Sequence, residues 1–268
     1  MKLGIRDTKN SEKGQKELPR QFNEQIRVDL VKRAVLSFLS RLRQPYGADP
    51  EAGKRASSWI SKRRRDYKTS YGHGIARSPR KILSRSGTQF NWKGAFAPNT
   101  VGGRRAHPAK ASKLWEEKIN GKEKSKAMRS ALAAALSKDY VKSRGHIIPE
   151  TYPFIISNEF EQIKKSKDIL MALETLGFSE ELLRCKEKKI RAGKGKMRNR
   201  PYKKKVGPLF VVSDNSPLIK SGKNIPGVDI VSVKSLNAYN LAPGAQPGRA
   251  TLFTENALDA IQKEGMFL

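Results

Sequence analysis

Hydrophobic residues recur with helical spacing in two long stretches of the chain. In residues 26–42 an apolar residue stands at every fourth position, which predicts an amphipathic helix that ends before Pro45. In residues 128–140 apolar residues share one helical face, and the alanine-rich centre favours helix formation and close packing. Both stretches therefore predict helices that cover a globular core.

Short continuous apolar runs predict the strands. They lie at residues 154–156, 209–212, 228–233 and 251–253. The wholly apolar run 209–212 is typical of a strand that is covered on both faces of a sheet. Residues 2–6 and 15–18 predict a small edge hairpin around a polar turn.

Shorter helices separate these strands. Ser166 is predicted to cap a helix that Gly177 stops, Ser179 begins another, and Thr254 is predicted to cap a terminal helix. Strands that alternate with helices predict an α/β fold with a mostly parallel sheet flanked by helices. We expect a single domain over residues 1–268, with a long extended basic loop inserted.

The charge of the chain is concentrated in two places. The formal net charge is +30. Residues 54–113 hold sixteen Lys or Arg, one acid (Asp66) and six aromatic residues, and residues 186–205 hold eleven basic residues and one acid (Glu187). Polycationic segments suit nucleic acid, an anionic membrane or an acidic protein, but the first segment lacks the spaced aliphatic residues of a membrane-surface helix. We expect it to become ordered on nucleic acid, and by composition alone a flexible basic loop is an equal alternative.

Other residue patterns argue against catalysis and cofactor binding. Residues 194–200 lack the full pattern of a phosphate-binding loop, and three separated histidines without a Cys-x-x-Cys pair predict no metal site. Asp214 follows the strongest strand, where an α/β enzyme places a catalytic acid, but a turn formed with Ser213 and Asn215 is favoured. Cys185 is predicted to be a partly exposed thiol in a reducing compartment. We expect no cofactor, no membrane span, no secretory signal and a cytoplasmic location.

Several motifs follow one another along nearly the whole chain. They are Arg43-Gln44-Pro45-Tyr46-Gly47 with Gly53-Lys54-Arg55, Gly72-His73-Gly74-Ile75-Ala76-Arg77, Gly102-Gly103-Arg104-Arg105-Ala106-His107-Pro108, Met128-Arg129-Ser130-Ala131-Leu132, and Lys194-Gly195-Lys196-Met197-Arg198-Asn199-Arg200. In this order they resemble the universal large-subunit ribosomal protein four in its archaeal-type form.

The resemblance implies a structural protein of the large ribosomal subunit rather than an enzyme. An α/β body would lie on the outside of the subunit, and residues 43–114 would form a loop that reaches inward through rRNA. Residues 186–205 would be a second rRNA-binding segment, and neighbouring large-subunit proteins would be further partners. The expected rRNA contacts are Lys54, Arg55, Lys62, Arg63, Arg64, Arg65, Arg77, Arg80, Lys81, Arg85, Arg104, Arg105, His107, Lys194, Lys196, Arg198 and Arg200.

The resemblance also places a loop tip at the constriction of the nascent-polypeptide exit tunnel. The tip residues would be Tyr71, Gly72, His73, Gly74, Ile75, Ala76 and Arg77. Trp115, just beyond the loop, is either an RNA-stacking residue or an anchor for the loop. Two other classes remain as alternatives. An RNA-processing enzyme requires paired carboxylates or a metal cluster, and another basic binder, such as a chromatin protein, does not explain the ordered motifs.

Overall fold

A six-stranded sheet lies at the centre of the larger of two units in the computed structural model, which describes residues 1–67, 69–214 and 216–268. The body unit comprises Met1–Leu42 and Glu116–Leu268, and the insert unit comprises Arg43–Trp115. The strands are β1 (Lys2–Arg6), β2 (Glu12–Glu17), β3 (Arg80–Ser86), β4 (Gln89–Gly94), β5 (Ile155–Ile156), β6 (Lys188–Ile190), β7 (Tyr202–Lys204), β8 (Leu209–Val212), β9 (Asp229–Ser232) and β10 (Thr251–Thr254).

The main sheet has the strand order β2-β1-β5-β10-β8-β9. Strand β2 is antiparallel to β1, and the other neighbours are parallel. The helices are α1 (Val28–Arg41), α2 (Gly121–Leu136), α3 (Lys138–Ser143), α4 (Ser166–Thr175), α5 (Ser179–Lys186), α6 (Leu218–Ser221), α7 (Ala238–Leu241) and α8 (Glu255–Lys263). The predicted α/β class with a mostly parallel sheet is therefore confirmed.

Side chains of the central strands alternate between two hydrophobic cores. Leu209 and Val211 of β8 belong to the core that α1, α2 and α8 cover, whereas Phe210 and Val212 belong to the core that α4 covers. Successive residues of a strand point to opposite faces, so a continuous apolar run requires helices on both sides. The prediction that residues 209–212 are covered on both faces is confirmed.

Several predicted boundaries and environments differ from the structure. The second long helix ends at Leu136, because Ser137 has an extended backbone before α3 begins. Ser166 lies within α4 and provides no side-chain cap, while Thr254 does cap α8 by accepting a hydrogen bond from the Ala257 N–H at 3.3 Å. Strand β2 starts at Glu12, earlier than predicted. It pairs with β1 through backbone hydrogen bonds, and its polar sequence has no apolar pattern that would predict its start.

The prediction of a partly exposed Cys185 is wrong. Its side chain is 2% exposed, since the backbone of Gly207 and Gly227 packs closely against it. Burial raises the pKa of the thiol to about 11, so the thiolate form needed for reactivity is disfavoured at neutral pH.

Candidate nucleic-acid interface

The two ends of the insert unit are joined by an aromatic and cationic cluster. The rings of Tyr46 and Trp115 lie 4.6 Å apart, centroid to centroid. The Arg43 guanidinium lies 4.8 Å from the centroid of the Trp115 ring. Beside this cluster the Ala48 N–H donates to the carbonyl of Ala109 at 2.9 Å. These contacts favour the interpretation of Trp115 as an anchor for the loop over its interpretation as an RNA-stacking residue.

A glycine allows the two legs of the insert to approach closely beyond this cluster. Gly53 has a φ of +74°, and a Cβ at this position would lie 2.5 Å from the backbone nitrogen of Arg104. A larger residue therefore meets both a strained backbone conformation and a backbone clash. Gly53 belongs to one motif and Arg104 to another, so the structure brings together two motifs about fifty residues apart along the chain.

The predicted tip contains a tyrosine whose ring is already engaged. Guanidinium carbons of Arg64 and Arg77 lie 5.5 and 4.8 Å from the centroid of Tyr71. Gly72 and Gly74 adopt positive φ angles of 79° and 62°, which place the intervening His73 on an exposed turn. These cation–π contacts fix Tyr71 within the turn.

Asp66, the single acid in the sequence of residues 54–113, has a local structural role. Asp66 accepts a hydrogen bond from the Ser61 hydroxyl at 2.6 Å and another from the Tyr67 N–H at 2.9 Å. The hydroxyl of Thr69 donates to the carbonyl of Arg63 at 2.6 Å. These bonds close a turn whose arginines point outward, as the exposure of Arg63, Arg64 and Arg65 shows.

Strands β3 and β4 form a hairpin that the sequence analysis did not predict. Ile82 pairs with Trp92, and Arg85 pairs with Phe90. The Phe90 and Trp92 rings lie 6.2 Å apart on one face. The hairpin was missed because a bulge between Ile82 and Ser84 interrupts the alternation that marks a strand.

Nearly all of the predicted rRNA-contacting side chains are exposed. Arg80 and Arg104 are partly buried, and the rest are exposed to solvent. Within the described part of the chain, Arg55 is the one member of this set with an acidic ion-pair partner, Asp49. Among the described residues the other positive charges of this set have no carboxylate partner, which is the arrangement that a polyanion neutralises.

The second basic segment is an exposed hairpin rather than a phosphate-binding loop. Strands β6 and β7 pair antiparallel and close the loop that carries Lys194, Lys196, Arg198 and Arg200. The Arg191 side chain donates from Nε to the carbonyl of Arg200 at 3.1 Å. A phosphate loop lies between a strand and a helix, so this loop has a different architecture. Its cations project from a closed turn.

Asp214 lies at the surface as part of an ion pair. Its carboxylate lies 2.8 Å from Lys234 Nζ, and the hydrogen bond from Lys234 holds the pKa of Asp214 below its ordinary value. A general acid at neutral pH requires a raised pKa. The predicted turn with Ser213 involves Asn215, which lies outside the described residues.

A buried carboxylate that the sequence analysis missed joins three strands at their carboxyl ends. Glu161 Oε1 accepts from the Ser213 N–H at 2.9 Å and from the Thr254 hydroxyl at 2.5 Å. Oε2 accepts from the Ser213 hydroxyl at 2.5 Å and from Asn256 Nδ2 at 3.3 Å. Burial by itself raises the pKa of Glu161, but these hydrogen bonds outweigh it and lower the pKa. Since both oxygens have two donors, the carboxylate is committed to structure.

The described residues lack two features of other classes of protein. In residues 1–67, 69–214 and 216–268, His, Cys, Asp and Glu side chains nowhere gather in a group of three that could hold a metal ion. Each helix in the same ranges is too short or too polar to span a bilayer.

An α/β body with exposed, largely unpaired cations on two separate segments has the features of a structural RNA-binding protein. The model of the ribosomal protein L4/L1 family matches residues 16–264. The chain belongs to the ribosomal protein L4/L1 family.

Relatives from three archaea cover almost the whole chain, and each is named large ribosomal subunit protein uL4. The protein of Nanoarchaeum equitans is 49% identical over 268 residues, which is 100% of both chains. That of Archaeoglobus fulgidus is 42% identical over 97% of both chains. That of Sulfurisphaera tokodaii is 40% identical over 98% of this chain and 94% of its own. The archaeal-type resemblance is confirmed.

Proposed function

We propose that this chain is a structural, non-catalytic constituent of the large ribosomal subunit that binds large-subunit rRNA and supports assembly. The full-length similarity to archaeal large-subunit proteins carries this proposal. The exposed cations support it physically, because each Lys or Arg that meets a phosphate releases condensed counterions. In this role the cytoplasmic ribosome is the site of action, and neighbouring large-subunit proteins are further partners.

Two segments make the rRNA contacts in this proposal. Residues 43–114 form the extended loop against rRNA, and residues 186–205 form a second contact. The cluster of Tyr46 and Trp115 supports this assignment, since it fixes the root of a loop whose remaining side chains are mostly exposed. Residues 71–77 form the tip that lines the exit tunnel and meets the nascent polypeptide.

The arrangement of the buried and surface acids supports a non-catalytic role. Both carboxylate oxygens of Glu161 accept hydrogen bonds from residues at the strand ends, and Asp214 pairs with Lys234 at the surface. Neither carboxylate has the free, raised-pKa state that a general acid requires.

Cofractionation with ribosomal particles tests the proposal. A tagged chain expressed in an archaeal host is expected to sediment with the large subunit and its rRNA at high salt. Sedimentation with DNA, or as free protein, under the same conditions would contradict it. A nuclease activity that survives purification and disappears in Asp214→Asn would overturn the non-catalytic assignment.

A further inference from the structure

An exposed aromatic surface lies on the β3–β4 hairpin. Trp92 is 59% exposed although it pairs across the hairpin with Ile82. On the same face, Phe90 lies beside Trp92, and the Arg85 guanidinium lies 5.1 Å from the Phe90 centroid. More than half of the Trp92 side chain therefore remains in water.

Trp92 differs from Tyr71, another aromatic residue of the insert unit. Tyr71 is covered by Arg64 and Arg77, whereas within the described residues no cation lies over the ring of Trp92. A large apolar ring that is held rigidly by a hairpin and left open is suited to contact a second flat surface.

The charge on the other face of this hairpin indicates the chemistry of its partner. Lys81 and Lys93 lie directly opposite each other, one register position from Ile82 and Trp92, and therefore on the other face of the hairpin. Like charges in directly opposed positions destabilise a hairpin, and in the described part of the chain neither lysine has an ion-pair partner. Both line a cleft that Arg55 and its ion-pair partner Asp49 also line. A phosphate placed here would relieve the repulsion.

We propose that the Trp92–Phe90 face of the hairpin binds an unpaired nucleobase of RNA by stacking, while Lys81 and Lys93 on the opposite face take up backbone phosphates of the RNA that surrounds the hairpin. The inference rests on the proposed rRNA-binding function and deepens it by naming the part of RNA that this surface takes. Base–aromatic stacking tolerates any base, because every base has a π face, and it requires a base that is not paired within a helix.

Binding of a single-stranded oligouridine and of an RNA duplex of equal length tests the proposal. Each is measured by fluorescence anisotropy with the full chain over a range of salt concentrations. Trp92→Leu is expected to weaken binding of the single strand roughly tenfold, while duplex binding and the salt dependence of both stay unchanged. Trp92→Phe retains a ring and most of the affinity. Leu83→Ala is the matched control, because Leu83 is a 64% exposed apolar residue of the partner strand in the same hairpin.

A direct readout separates stacking from damage to the hairpin. The indole N–H resonance of Trp92, assigned by its loss in Trp92→Phe, is expected to shift when the wild-type protein binds the single strand and to stay in place with the duplex. An unmoved resonance at saturation, or equal weakening of both RNAs by Trp92→Leu, would overturn the stacking proposal and leave the proposed rRNA function intact. Failure of the wild-type protein to bind either RNA at low salt would count against the rRNA function itself.

Discussion

Glu161 illustrates how a buried charge holds the body unit together. Its four hydrogen-bond donors come from the segment after β8, from the end of β10 and from the start of α8. Arg249 has a comparable role near the opposite ends of the strands, since its guanidinium donates to the carbonyl of Gly207 at 2.8 Å and to Asp229 at 2.5 Å. Such groups stabilise only while their partners are complete, because an unsatisfied buried charge is costly.

Replacement of Glu161 by Gln is expected to lower the free energy of unfolding by about 3 kcal/mol. The amide keeps one acceptor oxygen, so its NH2 group faces a donor that the other carboxylate oxygen had satisfied, either the Ser213 N–H or the Ser213 hydroxyl. Urea unfolding at neutral pH measures the loss. Glu159→Gln is the control, because that side chain is exposed and pairs with Lys13 at the surface; we expect a change within about 0.5 kcal/mol. An equal loss in both variants would contradict the role of Glu161.

Acid unfolding of the wild-type protein and of Glu161→Gln tests the sign of the pKa shift at Glu161. The pKa of Glu161 is lower in the folded protein than its ordinary value of 4.5, so the ionised carboxylate stabilises the fold above that value. This contribution is lost as the pH falls through the folded-state pKa. Stability of the wild-type protein should therefore fall more steeply in acid than that of Glu161→Gln. Parallel curves would show that Glu161 is not a source of the acid sensitivity.

At the scale of elements, the sequence predicted what periodicity and composition determine. Helix α1 and strand β8 have strong apolar patterns, and both are present. The polar strand β2 and the hairpin of β3 and β4 have no such pattern, since backbone pairing and a bulge define them.

Some features of the candidate interface could likewise be predicted from the sequence, and others could not. Composition located the exposed cations, but pairings between distant residues depend on the tertiary fold. Trp115 lies against Tyr46, and Gly53 lies against Arg104. A single sequence contains no local signal for either contact, or for the open face of Trp92.

Trp115→Ala is expected to open the root of the insert unit. The substitution removes the ring that packs on Tyr46 and lies under Arg43, and aromatic pairs of this kind contribute about 1 kcal/mol beyond their buried area. Hydrogen exchange of the Ala48 amide, which bonds to Ala109, should then accelerate roughly fivefold or more. The control is Trp59→Ala, because Trp59 is 58% exposed. Unchanged exchange in Trp115→Ala would remove the anchoring role.

Neutralising the loop between β6 and β7 tests the second basic segment. Replacement of Lys194, Lys196, Arg198 and Arg200 by Gln should weaken rRNA binding and reduce the slope of log affinity against log salt by up to about 3, since each lost phosphate contact removes about 0.7. The free energy of unfolding should stay unchanged, because these side chains are exposed.

A second variant with the same net charge separates the effect of local phosphate contacts from the effect of the overall positive charge of the protein. Gln at the exposed positions Lys122, Lys124, Lys142 and Lys263 removes the same charge from the body unit. Equal effects of the two sets on the salt slope would show that residues 186–205 make no special contact with rRNA.

At the scale of the whole molecule, the two units have different requirements. The body unit buries two hydrophobic cores, which stabilise it without a partner. The insert unit holds seventeen basic residues against three acids in residues 43–115. Holding its backbone in one conformation costs roughly 1 to 2 kcal/mol per residue, and repulsion among its cations adds to that cost. We therefore expect the insert unit to require dense contacts with a polyanion, in addition to its internal contacts, to hold one conformation.

The proposed tunnel tip makes the most specific prediction about the assembled particle. Ile75 lies in the exposed stretch between Gly72 and Arg77, where an apolar side chain gains little from phosphates and is suited to meet a passing polypeptide. A photo-cross-linking residue at Ile75 is expected to capture a stalled nascent chain within purified ribosomes. The same probe at Val101, an exposed apolar residue of the insert unit outside the tip, is expected to capture rRNA or protein neighbours only. Deletion of residues 72–76 should leave rRNA docking largely intact, because most of the cations lie outside it, and should alter stalling of some nascent chains in ribosome profiling. Capture of rRNA alone by the probe at Ile75 would mean that the tip is buried in RNA and does not face the tunnel.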